Sequence, residues 1–474
     1  MRKIKVCIVS PYSYPLFNPS HTKSHFGGWE VRASIIAKGL AKQGQLDISV
    51  IVWDHGQEHI EHWDGVTLYS WIGRPYPLAE PSPYMNSVPA ANCAKVTDPV
   101  RLIFKIKSNS LKSRLKNIIP WRFWNVARIM KDGSQNISAA IYNGLREFYR
   151  GLRAAIGIAY RTSRSIYCVL FRSFGKIDEY IIPNINVAIY DEIDADVYIV
   201  PGNHDRAAEV AYFCRARGKK YIFLAGSDMD YSFNYRMHPE KIDVYGIPGF
   251  LMTYAIENAS LHLVQSEHQA QLLKADYGHD SIIIRNPIDL KYQFPKAANS
   301  ENILWVGSSD DRVRRPSLAL ELARCLPEYS FVMIITPAVL ETYEKCHREA
   351  RDLPNVTLIG RVPFDEVEKY FATAKLFINT SVFEGFPNTF LQAGKYGIPI
   401  VALKVDPGQM LTLHGCGATC NDHMDKLIEQ VRLYMSNSEK YEQASGQCLT
   451  YVSTYHDKEK IVLEYERVIQ SLLR

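Results

Sequence analysis

The sequence predicts an α/β protein of two doubly wound domains, and three observations carry the prediction. Short, continuously apolar runs recur along the chain with helical stretches between them. Continuous rather than alternating apolarity is what strands need when helices cover both faces of a parallel sheet. The alternation also runs twice, the two series being separated by the linker-like stretch KYQFPKAANSEN at 291–302. At 474 residues the chain is long enough for more than one core.

In the first series IKVCIVSPY reads as a buried strand, and GGWEVRASIIAKGLAKQG as a helix closed by Gly44. LDISVIVWD and GVTLYSW are further strands. A connector with Pro75, Pro77, Pro81, Pro83 and Pro89 should be irregular. Alternation resumes at ADVYIVPGNHD, a strand, then RAAEVAYFCRARG, a helix, and the strands KKYIFLAG, ASLHLVQS and DSIIIRNPID. The second series opens with the strand ILWVGSS and the helix PSLALELARCLP. The strands YSFVMIIT and NVTLIG, the helix FDEVEKYFATA and the strand KLFINTS follow. EGFPNTFLQAGKYGIPIVAL adds a turn, a helix and a last strand. The expected division is 1–292, interrupted by a basic, helical insertion at about 75–190, then 300–445, then a C-terminal helix within 446–474 able to pack back on the first domain. Ligands of such sheets sit at the carboxyl ends of the strands, so the cleft between the two domains is the expected site.

Composition narrows the classes. Hydrophobic content of 47% with 22% charge is ordinary for a globular chain, and no run approaches the ~20 apolar residues of a membrane span. Nine scattered cysteines do not form a disulfide framework, and the apolar run Val6 to Val9 is too short for a signal-peptide core. A reducing, cytoplasmic setting is therefore expected. His414, Cys416, Cys420 and His423 in HGCGATCNDH have the residue types for zinc. The pair spacing and the missing second pair favour small residues around a turn instead.

Charge is unevenly spread. Between Arg101 and Lys176 there are sixteen Lys and Arg against two acids, Asp132 and Glu147, a local net charge of +14; the overall +5 thus leaves −9 for the remainder. Ile141, Leu145, Phe148, Leu152 and Ile156 step by three and four, and Arg146, Arg150, Arg153, Arg161 and Arg164 occupy much of the rest. Two readings stand equally: a basic helix resting on an anionic membrane surface, or one packing its stripe on its own domain. Nucleic acid fits less well, since no known binding module is visible.

Four motifs fall at predicted strand ends. Glu384 follows the strand KLFINTS, and the helix opening near Asn388 aims its free N–H groups and dipole into the cleft, with Pro387 suited to the helix start. Such an amino terminus suits a diphosphate. Glu384 beside it would be repulsive unless its carboxylate accepts hydrogen bonds from hydroxyls, as a sugar provides. In SHFGGWE, Gly27 and Gly28 allow a phosphate close to the backbone, but they are not the G-x-G-x-x-G fingerprint, which disfavours a nicotinamide enzyme. VGSSDDRVRRPS supplies Arg314 and Arg315, whose guanidinium groups suit a diphosphate. VPGNHDRAAE places His204 where it could hydrogen-bond a reacting sugar. Taken singly, each motif also fits an ordinary turn, and His204 a structural histidine.

The combination resembles a family 4 glycosyltransferase of the GT-B fold, in the branch with an EGFPNTFLQA-type motif. The resemblance spans nearly all the chain outside the basic block. It implies two Rossmann-like domains facing a cleft, and transfer from a nucleotide-sugar donor with retention of configuration. It implies His204, Glu384 and Arg314 as catalytic. As donor-binding residues it implies Gly27, Gly28, Arg315, Ser308, Arg361, Gly385, Phe386, Pro387, Asn388, Thr389, Leu391 and Gln392. No metal or other cofactor is implied, since cationic side chains and dipoles take that role, and SDMD, with Asp228 and Asp230, is read as a loop. The implied acceptor is a glycan or lipid-linked glycan, in cell-surface polysaccharide or glycoconjugate synthesis. The 101–176 block would rest peripherally on the membrane. Two positions depart from the family pattern. Gln392 stands where a second glutamate usually grips the ribose, and an amide can still serve there. Ser308 stands where an arginine is common; Ile335 and Thr336 replace frequent glycines. The departures motivate a second reading, a non-catalytic relative kept as a binding or scaffolding module. A sugar-nucleotide epimerase is a third, poorly matched at Glu384.

Overall fold

The computed structural model describes residues 2–18, 20–21, 26–71, 187–232, 249–297 and 300–474. The basic block at 101–176, its helical stripe and nearly all of the expected insertion lie outside the described residues.

The first sheet contains β1 (Ile4–Val9), β2 (Leu46–Trp53), β3 (Ile60–Trp63), β4 (Val66–Trp71), β5 (Val197–Pro201), β6 (Lys220–Leu224), β7 (Leu261–Val264) and β8 (Ile282–Ile283). Their order is β3-β4-β2-β1-β5-β6-β7-β8, all parallel except the β3–β4 pair. The antiparallel β3 was not expected from the sequence; its half-exposed IEHW lacks the apolar run that marks its neighbours. Helices α1 (Gly28–Gln43), α2 (Asp205–Arg217), α3 (Gly249–Glu257) and α4 (Glu267–Tyr277) cover this sheet. Apolarity is continuous because the two faces serve two cores. Cys7, Val9, Tyr198 and Val200 enter one, while Val6, Ile8, Val197 and Ile199 enter the other. Each buried aliphatic side chain contributes about 1.5–3 kcal/mol relative to exposure.

The second sheet comprises β9 (Asn302–Ser308), β10 (Phe331–Thr336), β11 (Val356–Ile359), β12 (Ala374–Asn379), β13 (Ile400–Ala402) and β14 (Gly417–Thr419). It is wholly parallel in the order β11-β10-β9-β12-β13-β14. Its helices are α5 (Pro316–Cys325), α6 (Leu340–Arg351), α7 (Phe364–Ala372), α8 (Asn388–Lys395) and α9 (Met424–Ser436). Ile303 and Trp305 face one core and Leu304 the other, the same division as in the first sheet.

The chain then runs through α10 (Ser438–Tyr455), bends at the fully buried His456, and ends in α11 (Lys458–Leu472). The 446–474 stretch is therefore two helices, with the bend between them. α11 lies on the first domain: Ile461, Val462, Tyr465 and Ile469 join the core of Ala33, Ile36 and Leu40 of α1. The crossing is pinned to the stretch after β8, since Ile288 N–H donates to the His456 carbonyl (2.8 Å) and Lys458 N–H to the Ile288 carbonyl (3.1 Å).

In both sheets the order reverses beside the first strand. β1 lies between β2 and β5, and β9 between β10 and β12. Each such reversal opens a crevice at the carboxyl edge of its sheet. The loops there carry Gly27, Gly28 and His204 in one sheet, and Ser308, Arg314, Arg315 and Glu384 in the other.

Candidate functional site

The second-domain wall is built from the loops after β9 and β12. Ser309 follows β9 and ties it to the next crossover: its hydroxyl accepts from Ala338 N–H (2.8 Å) and Val339 N–H (2.9 Å). The Asp310 carbonyl accepts from Arg314 N–H (2.7 Å), which folds the loop over. The Asp311 carboxylate caps α5 through Ser317 N–H (3.1 Å) and its hydroxyl (2.6 Å).

That loop presents Arg314 to Glu384, and their side chains form an ion pair. Ser381 completes the group. Its hydroxyl donates to Glu384 Oε1 (2.8 Å) and accepts from Arg314 Nη1 (3.3 Å). Glu384 is buried, whereas the Arg314 side chain keeps about a third of its surface. The next residue has a different fate. Arg315 has a left-handed backbone (φ 52°), and its guanidinium donates to the Thr380 carbonyl (2.5 Å), the Ser381 carbonyl (3.3 Å) and Asp422 (2.6 Å). It clamps the β12 loop to the domain, so the two adjacent arginines face different partners.

Pro387 is the residue before α8 rather than its first residue, and Asn388 opens the helix. Asn388 Nδ2 donates to the Gly28 carbonyl (3.0 Å), the first residue of α1. Two helix amino termini, one per domain, therefore converge on one place. Gly385 explains how closely the domains meet: a Cβ there would lie 2.6 Å from the Gly226 carbonyl oxygen and 3.1 Å from Ser227 Cα. Asn286 Nδ2 adds a hydrogen bond to the Phe386 carbonyl (2.9 Å).

The first-domain wall is a set of loops. Gly27 precedes α1, and the Glu30 side chain accepts its N–H (2.6 Å); burial pushes Glu30 up to about 7. The Trp29 ring covers the faces of Gly202 and Gly226, and Gly202, at φ 81°, has no room for a Cβ. His204 caps α2 through Nδ1, which accepts from Arg206 N–H (3.2 Å), so in the neutral ring the proton sits on Nε2; the ring meets Trp29 edge-on at 5.6 Å. Buried Asp230 holds the β5 and β6 loops together, accepting from Asn203 (3.1 Å), Gly226 (2.7 Å) and Ser227 (3.1 Å) N–H groups. Burial raises its pKa. Asp228 Oδ1 accepts from Gln269 Nε2 (3.0 Å), and burial pushes Asp228 up to about 6.

The remaining sequence-predicted residues separate by burial. Leu391 is 1% exposed inside the second-domain core, and Phe386 stacks on Tyr451 and meets His456. Their side chains shape the turn and can offer a ligand only backbone. Ser308 ends β9, Arg361 follows β11 on the surface, and Thr389 and Gln392 are half-buried on α8. Sequence reasoning missed Ser381, Asp230 and Arg32. Arg32 is almost fully buried and donates to the carbonyls of Ala225 (3.0 Å) and Ile284 (2.9 Å) and to the Tyr465 hydroxyl (2.7 Å), joining α1, the sheet edge and α11. An arginine on the apolar face of α1 was the one available signal.

The HGCGATCNDH residues have separate surroundings. His414 packs on Tyr451 and Tyr455, Cys416 meets Cys448, Cys420 lies in the second-domain core and His423 precedes α9. Among the described residues no group of three or more His, Cys, Asp or Glu is arranged to hold a metal, and no helix is long and apolar enough to cross a membrane.

Two parallel-sheet domains whose strand ends bear on a common cleft define the GT-B fold, and comparison with solved structures bears this out. The chain is similar to sucrose-phosphate synthase from Thermosynechococcus elongatus (12% identity, TM-score 0.63, 99% of each chain covered). It is also similar to Anabaena Alr3699/HepE in complex with UDP and glucose (12% identity, TM-score 0.59, 99% of this chain and 100% of that one). A third is the lipopolysaccharide outer core galactosyltransferase WaaB in its apo form (15% identity, TM-score 0.51, 99% of each chain). Residues 301–437, the second domain, match the family model described as glycosyl transferases group 1. No curated protein matches the sequence.

Proposed function

We propose that the protein is a glycosyltransferase that moves a sugar from a nucleotide-sugar donor to a glycan or lipid-linked acceptor with retention of configuration. One observation carries the reading: two helix amino termini, at Gly28 and Asn388, converge where Arg314 and Glu384 stand paired at a strand end. Anions favour helix amino termini, and a diphosphate would take Arg314 as its counter-ion. Glu384, released from that pair, would accept hydrogen bonds from sugar hydroxyls. As the diphosphate leaves, Arg314 and the two helix ends neutralise its charge, with no metal required for that role. Gln392 is assigned to the ribose and His204 to the transferred sugar. The glycosyl transferases group 1 match over 301–437 supports placing the nucleotide on the second domain.

Thermal unfolding with a panel of nucleotide diphosphates and nucleotide sugars tests this reading. A ligand at 100 times its Kd adds about 2.7 kcal/mol of stability. Glu384→Ala should lose the increment due to the sugar while keeping that due to the bare nucleotide. No shift with any member of the panel would instead favour the non-catalytic binding module. Salt-sensitive binding to anionic liposomes tests the membrane role proposed for 101–176, and its absence would remove that role.

A further inference from the structure

We propose that Trp29 is a specificity-determining residue of the donor site: its indole is the floor on which the transferred sugar, a pyranose, lays a C–H face. The inference rests on the glycosyltransferase reading and deepens it. Its first ground is where the ring lies. The loops after β5 and β6 carry glycine under it: Gly202, at φ 81°, has no room for a Cβ, and a Cβ on Gly226 would lie 2.9 Å from Trp29 Cε3. Gly226 in turn meets Gly385, the neighbour of Glu384. Gly28, the residue before Trp29, accepts Asn388 Nδ2 on its carbonyl (3.0 Å). His204 meets the indole edge-on, with ring centroids 5.6 Å apart. The ring thus touches the groups assigned to the transferred sugar, beside the helix end assigned to the diphosphate.

The second ground is what the ring has left to offer. Burial raises the Glu30 carboxyl, and hydrogen bonds from Gly27 N–H (2.6 Å) and from the Trp29 side chain oppose that rise. An indole has a single polar hydrogen, so its polar edge is spent on Glu30. The side chain is only half-buried, and the surface it keeps is apolar among polar neighbours. A pyranose has the matching division, with C–H bonds on its ring faces and hydroxyls around its rim. Glu384 and His204 take rim hydroxyls while the indole takes a face. The nucleotide, which the reading places on the second domain, has nothing to lay there. An indole supplies neither a base nor a nucleophile, so the floor adds no group that would turn the transfer from retention.

The test uses the full chain with UDP-glucose, UDP-galactose, UDP-N-acetylglucosamine and GDP-mannose, and with UDP and GDP alone. In Trp29→Ala the calorimetric Kd of the preferred donor should rise about tenfold, as loss of roughly 60 Å² of apolar contact implies, while that of the matching nucleoside diphosphate stays within about twofold. Trp29→Phe should recover most of the donor affinity. In wild type, saturation of the protein's aromatic protons should pass to the sugar's C–H protons by NMR, and in Trp29→Ala that signal should fall relative to the ribose signals of the same donor. A Trp29→Ala protein that weakens donor and bare nucleotide equally, or neither, overturns the proposal. So does a wild type that binds nucleoside diphosphate but passes no saturation to the sugar of any donor, which decides the matter even if the variant fails to fold. A wild type that binds neither donors nor nucleoside diphosphates sinks the glycosyltransferase reading itself.

Discussion

The two walls of the cleft meet a ligand by different means. The second-domain wall carries its charge in the open: Arg314 keeps solvent access and is paired with Glu384. The first-domain wall turns two of its carboxylates inward, Glu30 onto Gly27 and Asp230 onto three backbone N–H groups. One wall is chemistry on a rigid strand end; the other is shape held by buried acids. Removing a charged side chain from the second-domain wall should cost turnover, and disturbing the buried acids of the first-domain wall should cost stability.

The largest expected effect is on the charged wall. Arg314→Ala should lower turnover of the nucleotide sugar about 100- to 1,000-fold, as loss of a group stabilising developing charge does. Its neighbour supplies the contrast. Arg315→Ala should leave turnover less affected and lower stability by about 1.5–3 kcal/mol, since its guanidinium bonds protein carbonyls. Steady-state kinetics beside denaturant unfolding separates the two outcomes, and equal kinetic losses would break the distinction.

The bend at His456 should respond to acid. Burial depresses this histidine to about 3, its Nδ1 bonding the Asn286 carbonyl (2.7 Å). In the unfolded chain it titrates near 6.5. Below that pH the unfolded state therefore binds the extra proton, and stability rises with pH from about 3 to 6.5 and is lost as pH falls through that window. The slope due to this group approaches about 1.4 kcal/mol per pH unit. Melting curves of wild type and His456→Asn between pH 7 and pH 4 should converge as the acid end is approached, and parallel curves would exclude the histidine as the cause.

Smaller effects are expected where the walls touch. Gly385→Ala puts a methyl group against the Gly226 carbonyl and should cost about 1–3 kcal/mol of stability as overpacking. A melting temperature equal to wild type would mean that the walls part without resistance. Asn388→Ala removes one hydrogen bond to the Gly28 carbonyl and should cost about 0.5–1.5 kcal/mol. That loss should appear chiefly in KM for the donor; an equal change in kcat would give Asn388 a part in the reaction itself.

Much of the second wall was legible in advance because it is local. Glu384, Pro387 and Asn388 lie within five residues of one another, and Arg314 follows directly from the strand that ends at Ser308. The first wall draws on residues 27–30, 202–204, 226–230 and 269, and no window of the sequence contains them together. Asp230 was readable only as a loop residue, and Ser381 only as the end of a strand.

The sequence alone determined the fold class. A parallel sheet covered on both faces needs continuous apolar strands, and helices between them need their own apolar stripes, so both signals are written locally. The same is true of the glycine pair at the start of α1 and of the acid at the turn before α8. Tertiary structure decided which of two adjacent arginines bears on the cleft and which clamps a loop. Arg315 reaches Asp422 and the Thr380 carbonyl across more than sixty residues of sequence. It likewise decided that α11 returns to α1, and that Gly385 meets Gly226 too closely for any side chain. These are contacts between distant segments, whose geometry follows from how two cores pack and from no pattern that a single segment carries.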